Sequence, residues 1–314
     1  MPSSVFDRVL ITGGTGFIGR YVLDRLVDFG IRPLVTIRKD PAVVPDQVDL
    51  LETDLTDTAK VTEIVNTYRP QAAIHLAGVT GSQDTSGRLC HEVNVTATKG
   101  LLAALERAGC DRVVMIGSAA EYGSQSTPFQ EDMEPMPVSH YGRSKAEATA
   151  AALGMNKASG FPVTVLRVFT AYGLGQPGKM FLSRAISCAL RGQPFEMTPG
   201  SQRRDHVFVA DVADAVIKTL GNDEAIGKII NIGTGNAVRL SELAEAVWER
   251  CGADRGMLTV GNASQDADSK FDTEADITLA KTLLNWSPRT QLLSGSRNDD
   301  GLDLMIRRMR ETMI

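Results

Sequence analysis

A short apolar run from Arg8 to Thr12 enters Gly13-Gly14-Thr15-Gly16-Phe17-Ile18-Gly19, after which Tyr21, Val22, Leu23, Leu26 and Val27 recur at helical spacing. A strand, a glycine turn and a helix in that order restrict the fold of a chain more than any other feature of this sequence. Gly13 permits the tight turn, Gly16 lets a pyrophosphate approach the backbone, and Gly19 lets the helix pack closely on a sheet. The helix N-terminus then offers unpaired N–H donors and a partial positive charge. The pattern implies a dinucleotide phosphate site, with Gly13, Gly16, Phe17, Ile18 and Gly19 around it.

Further buried strands are expected at Leu34–Ile37, Ala72–Leu76, Arg112–Gly117 and Val163–Val168, with helical patterns between them at 97–108 and 142–153. Alternation of this kind predicts βαβ units around a parallel sheet. Beyond Arg167, Gly and Pro become frequent from Gly173 to Gly178 and from Gly192 to Gly200, as though the chain leaves the sheet to build a second lobe. Asn231–Gly235 is a candidate return to the first domain. A helix is expected at Leu240–Arg250, followed by a polar segment from Gly252 to Ser269. The expectation is an α/β chain, residues 1–170 plus about 205–235 forming a dinucleotide domain and about 171–204 plus 236–314 a smaller lobe. A length of 314 residues accommodates that division.

The position about 20 residues past the glycines, where an acid would bond a ribose 2′-OH, reads Thr36-Ile37-Arg38-Lys39. Two cations favour a 2′-phosphate and hence NADP, while Asp40 nearby keeps NAD as the alternative. Tyr141 and Lys145, four residues apart at a helix start, share one face. An ammonium about 6 Å from a phenol, at an effective dielectric near 20, supplies roughly 3 kcal/mol, about two pKa units before screening. That brings the phenol toward the range of general acid–base work. Ser118 ends a buried strand, where the carboxyl edge of a sheet meets ligand, and its hydroxyl is suited to hold a substrate oxygen.

With these residues in place, the sequence resembles the extended short-chain dehydrogenase/reductases that act on nucleotide sugars, the NAD-dependent epimerase/dehydratase family. The resemblance runs from the glycine loop through Asp54-Leu55-Thr56-Asp57, His75-Leu76-Ala77-Gly78, Asn94, Ser118, Tyr141-Gly142-Arg143-Ser144-Lys145 and Arg167. It continues through 200–212, which contains Arg203-Arg204-Asp205, to Leu284-Asn285-Trp286-Ser287-Pro288. It implies a Rossmann-type doubly wound parallel sheet with a smaller C-terminal substrate-binding lobe. It further implies that Asp54 and Leu55 meet the adenine, that Leu76, Ala77, Gly78 and Asn94 line the dinucleotide, and that Lys145 holds the nicotinamide ribose. Arg204 is then expected on the substrate diphosphate, a role that a guanidinium fork suits, with Asp205 beside it as the competing partner. Thr170 stands where many relatives have an asparagine near the same diphosphate. Family members are commonly homodimers, pairing the helix after Tyr141 with 97–108.

Dehydratases of this family carry an Asp-Glu pair just after the serine, whereas Ala119-Ala120 stands here and Glu121 is the nearest carboxyl. Arg38-Lys39, suited to free NADPH, together with Ser118–Gly123 and Pro137–Tyr141, which resemble the reductases that act on nucleotide-linked 4-keto-6-deoxyhexoses, implies NADPH-dependent reduction of the 4-keto group of a nucleotide-activated deoxyhexose, catalysed by Ser118, Tyr141 and Lys145. The alternatives are a 4-epimerase that retains NAD and, from another class, a non-catalytic dinucleotide sensor. A formal charge of −5 without a long basic run gives no footprint for nucleic acid or anionic membrane. No stretch reaches the roughly 18 apolar residues of a membrane span, and the N-terminus lacks a signal-peptide pattern, so a cytoplasmic protein is expected. Four scattered cysteines and four histidines form no metal-ligand spacing.

Overall fold

The computed structural model describes residues 6–38, 44–80, 84, 86–261, 271–294 and 300–312. In chain order it runs β1 (Val9–Thr12), α1 (Phe17–Asp28), β2 (Leu34–Ile37), β3 (Asp49–Glu52), α2 (Thr58–Tyr68), β4 (Ala72–His75) and α3 (Arg88–Cys90). The last of these continues through a π-helical stretch, His91–Ala97, into α4 (Thr98–Arg107). Then come β5 (Arg112–Ser118), α5 (His140–Ser159), β6 (Val163–Val168), β7 (Thr170–Tyr172), α6 (Phe181–Arg191), β8 (Phe195–Met197), β9 (Arg203–Phe208) and α7 (Val209–Leu220). The chain closes with β10 (Ile229–Ile232), β11 (Ala237–Arg239), α8 (Leu240–Cys251), β12 (Leu258–Val260), α9 (Thr278–Leu284) and α10 (Gly301–Glu311).

Seven strands form one parallel sheet in the order β10-β6-β5-β4-β1-β2-β3. Its central strands are buried throughout and mostly apolar because both faces are covered, as parallel sheets require. One face carries α1 (Val22, Leu23, Leu26), α7 (Val212, Val216, Leu220) and α9 (Ala280, Leu284). The other carries α2 (Val61, Val65), α4 (Leu101, Leu102, Leu105) and α5 (Ala148, Ala152). The strand order reverses between β1 and β4, and such a reversal opens a ligand crevice at the carboxyl ends of the strands. β3 has no counterpart in the sequence-based expectation: it is a largely exposed edge strand and lacks the apolar signal of its neighbours.

A second core joins α6 (Leu182, Ile186), β8 (Phe195), α8 (Leu243, Val247, Trp248) and α10 (Leu302, Met305, Ile306). Beside it lie a three-stranded sheet, β11-β9-β7, and the two-stranded β12-β8. Although α9 and Trp286 fall within 236–314, they pack in the core of the large sheet rather than in this second core. β12 and the turn before it occupy part of the segment expected to be polar and irregular, whose remainder lies outside the described residues. Among the described residues no helix is long and apolar enough to cross a membrane.

Candidate active site

The glycine loop sits at the strand-order reversal. Gly13 has φ of +72°, and a Cβ on it would lie 2.5 Å from the Ala77 nitrogen just beyond β4. Gly19 is pressed against the same turn, where a Cβ would come within 2.3 Å of the Gly13 carbonyl oxygen. Both positions therefore exclude every residue with a side chain, and the turn closes through the Gly16 N–H donating to Gly13 O at 3.0 Å. No side chain caps α1, so its N-terminal donors face the crevice without a competing acceptor from the N-cap side chain. This cradle fits a dinucleotide pyrophosphate. Phe17 and Ile18, the first residues of α1, are half-buried beside it.

Around the reversal the remaining expected residues fall at the carboxyl edge. Arg38 is exposed just past β2, and its charge acts on Asp54 beyond β3. Asp54 lies below the usual carboxylate range, chiefly because it accepts from the Thr56 backbone N–H and hydroxyl, with Arg38 adding to this. Leu55 is half-buried beside it, and Lys39 and Asp40 lie outside the described residues. Leu76, Ala77 and Gly78 follow β4 directly. A Cβ on Gly78 would be 3.1 Å from Asn94 Oδ1 and 3.6 Å from Lys145 Nζ. Asn94 is buried and accepts the Val79 N–H at 2.7 Å, while its Nδ2 donates to Val79 O and to Ser144 Oγ, both at 2.9 Å. One amide thus ties the loop after β4 to α5. His75 below it is buried between Thr12 Oγ1 (2.6 Å) and Thr98 Oγ1 (2.9 Å), and burial, reinforced by the Lys145 charge, drops its pKa to about 3.

The serine, tyrosine and lysine arrive from two elements. Ser118 ends β5 and caps a single 3₁₀ turn, Ala119–Glu121, its Oγ accepting the Ala120 N–H at 3.2 Å. Ser139 caps α5 by accepting the Gly142 N–H at 3.0 Å. A Cβ on Gly142 would lie 2.5 Å from Ala120 O, so the start of α5 rests directly on the turn that Ser118 begins. Tyr141 and Lys145 occupy successive turns of one face there. Lys145 is half-buried and its Nζ donates to Ile116 O at 2.7 Å. Burial lowers its pKa, and the Glu121 charge partly restores it.

A cleft joins Ser118 to Thr170 and Arg204, with Val138, Phe271 and Thr273 on its walls. Arg204 does not pair with Asp205, the partner that its sequence position invites, because neighbouring strand residues point to opposite faces. Its guanidinium donates to the carbonyls of Arg203 and Phe271 beside the cleft. Asp205 is wholly buried and accepts the backbone N–H groups of Thr234, Gly235 and Ala275. Phe271 and Thr273 were not found by sequence reasoning, since an irregular segment joined to β9 by one bridge carries no periodic signal. Glu121, the carboxyl nearest the serine in sequence, points away from the cleft and pairs with buried Arg167 at 2.8 Å.

A glycine cradle at the reversal of a doubly wound sheet, with Ser, Tyr and Lys at its edge, defines a dinucleotide-dependent enzyme of the short-chain dehydrogenase type. The chain belongs to the NAD dependent epimerase/dehydratase family, whose model matches residues 9–233. It is similar to a dTDP-6-deoxy-L-talose 4-dehydrogenase (NAD(P)(+)) from Kitasatospora kifunensis, 29% identical over 94% of this chain and 95% of the relative. Among solved structures it resembles a UDP-glucose 4-epimerase with UDP-glucose from Thermotoga maritima, at 25% identity and a TM-score of 0.90, covering 98% of this chain and 100% of that one. It also resembles MoeE5 in complex with UDP-glucuronic acid and NAD, at 31% identity and a TM-score of 0.86, covering 97% and 99%.

Proposed function

We propose that this enzyme reduces the 4-keto group of a nucleotide-activated deoxyhexose at the expense of NADPH, with Tyr141 as the proton donor. The observation that carries the reading is that the start of α5, which bears Tyr141 and Lys145, rests on the turn that Ser118 begins, beside a cleft that Ser118 lines together with Thr170 and Arg204. The likeness to a 4-dehydrogenase described as using NAD(P)(+) supports it. Gly13, Gly16 and Gly19, with Phe17 and Ile18, would hold the cofactor pyrophosphate, Arg38 and Lys39 the 2′-phosphate, and Asp54 and Leu55 the adenine. Leu76, Ala77, Gly78 and Asn94 would line the remainder. When bound, the cofactor supplies the hydride for C4.

The protein's own residues do the rest. Tyr141 gives its proton to the oxygen developing at C4. Ser118 donates a hydrogen bond to that oxygen, worth more on the transition state than on the ketone because the charge is larger there. Lys145 lowers the phenol pKa and orients the ribose. Arg204 and Thr170 hold the diphosphate, the first by charge and the second by its hydroxyl. In this reading residues 1–170 with about 205–235 bind the dinucleotide, about 171–204 with 236–314 bind the sugar nucleotide, and two copies pair through α4 and α5.

Replacing Tyr141 with Phe should lower kcat by roughly 10²- to 10⁴-fold while NADPH affinity stays within about twofold. Comparable turnover in that variant would refute the mechanism. The likeness to a UDP-glucose 4-epimerase supports a second reading, a 4-epimerase that retains NAD. Stoichiometric consumption of NADPH with a 4-keto-6-deoxyhexose nucleotide identifies the reductase. Interconversion of 4-epimers without net change in cofactor identifies the epimerase.

A further inference from the structure

Glu121 takes no part in the reaction above, yet it is completely buried directly behind Ser118. Its Oε1 accepts the Ser118 N–H at 2.8 Å, and its Oε2 accepts Arg167 Nε–H at 2.8 Å. The guanidinium of Arg167 lies 4.5 Å from the centroid of the Tyr122 ring, and the Tyr122 hydroxyl donates to Asn231 Oδ1 at 2.7 Å. Room for the carboxylate comes from Gly117, where a Cβ would stand 2.6 Å from Glu121 Oε1. A buried ion pair is a poor way to stabilise a fold, because apolar residues of similar volume serve as well or better. One retained against the reacting edge calls for a local reason.

That reason lies in the turn. Ser118 Oγ accepts from Ala120 while the Ser118 amide donates to Glu121, so both polar groups of the serine are set by the same three residues. The turn alone is short and flexible, but Arg167 on β6, directly paired with Gly117 of β5, fixes its far end. We propose that Glu121 is a positioning residue: by holding the Ser118 N–H from a carboxylate clamped by Arg167, it aims the serine hydroxyl at the substrate oxygen.

The inference rests on the reading of Ser118 given above, and two double variants test it. Glu121→Gln with Arg167→Met keeps an acceptor for the Ser118 N–H, whereas Glu121→Leu with Arg167→Met removes it, and neither leaves a buried charge unpaired. Both variants lose the Arg167 clamp and should fall below wild type in kcat, and the expected result is a kcat at least tenfold lower in the second than in the first, with KM and NADPH affinity unchanged in both. Equal kcat in the two folded variants overturns the proposal. Gly117→Ala, which displaces the carboxylate without changing a charge, should also lower kcat at least fivefold, and kcat within twofold of wild type would overturn the proposal should the leucine variant not fold. Hydrogen exchange of the Ser118 amide separates this inference from the choice of reaction. The amide should be protected in wild type and in the glutamine variant, even if the wild type turns over neither substrate, and rapid exchange in wild type overturns the clamp.

Discussion

Acid should destabilise this protein well before its ion pairs titrate, because two histidines are buried in the neutral form. His75 lies between two threonine hydroxyls with its pKa lowered to about 3, by burial first and the Lys145 charge second. His206 on β9 is lowered to about 4, again chiefly by burial, opposed by its hydrogen bond to the Arg204 carbonyl and reinforced by the Arg204 charge. In the unfolded chain both charge near pH 6.5. Between pH 6.5 and 4 the unfolded state therefore binds more protons, and stability falls as pH falls. From pH 7 to pH 5 each histidine contributes about 2 kcal/mol of loss, about 4 kcal/mol together, and the figure hardly depends on whether the folded pKa is 3 or 4. Urea unfolding at the two pH values measures the total. His206→Phe keeps a ring against Tyr172, 6.3 Å away between centroids, but cannot titrate. That variant should lose about 2 kcal/mol less than wild type over the same interval. A difference under about 0.5 kcal/mol would refute the argument for His206.

Two further substitutions probe the cofactor and the fold. Arg38→Glu should weaken NADPH binding at least tenfold, about 1.4 kcal/mol, and NADH binding less than twofold, as read by fluorescence titration at fixed salt. Equal effects on both cofactors would remove Arg38 from the 2′-phosphate site. Asp205→Ala leaves the Thr234, Gly235 and Ala275 amides without their buried acceptor and should cost about 3 kcal/mol or more, visible as a fall in urea midpoint. A midpoint equal to that of wild type would show that water or the backbone replaces the carboxylate.

The parts of this molecule legible in the sequence are those where one residue type answers one local demand. Gly13 and Gly19 are glycines because backbone lies within 2.5 Å and 2.3 Å of any Cβ there, and their spacing reports that directly. β1, β4 and β6 read as largely apolar runs because both faces of the sheet are covered. What stayed hidden depends on contacts made far along the chain. β3 is an exposed edge, and β7, β8, β11 and β12 are three residues each, too short for periodicity to register. The roles of Asp205 and Glu121 follow from which way each side chain faces, set for Glu121 by Arg167, 46 residues on, and for Asp205 by Thr234, Gly235 and Ala275, 29 to 70 residues on. Neither a charge nor its sequence neighbours disclose that direction.

The π-helical stretch His91–Ala97 carries a consequence for how this chain tolerates change in length. Within it stands Asn94, whose amide must reach Val79 and Ser144 together; beyond it α4 must turn Leu101, Leu102 and Leu105 into the core. The wider turn lets one continuous helix satisfy both angular demands. A π-helical stretch takes up an extra residue with little change in the phase of the helix on either side, so deleting one residue from 95–97, beyond Asn94, would return the stretch to ordinary α-helical winding. The leucines of α4 and the Asn94 amide would both keep close to their present directions. A one-residue deletion there should therefore be tolerated, whereas the same deletion within α4, where each residue carries about 100° of turn, should rotate the rest of that helix and disrupt the core.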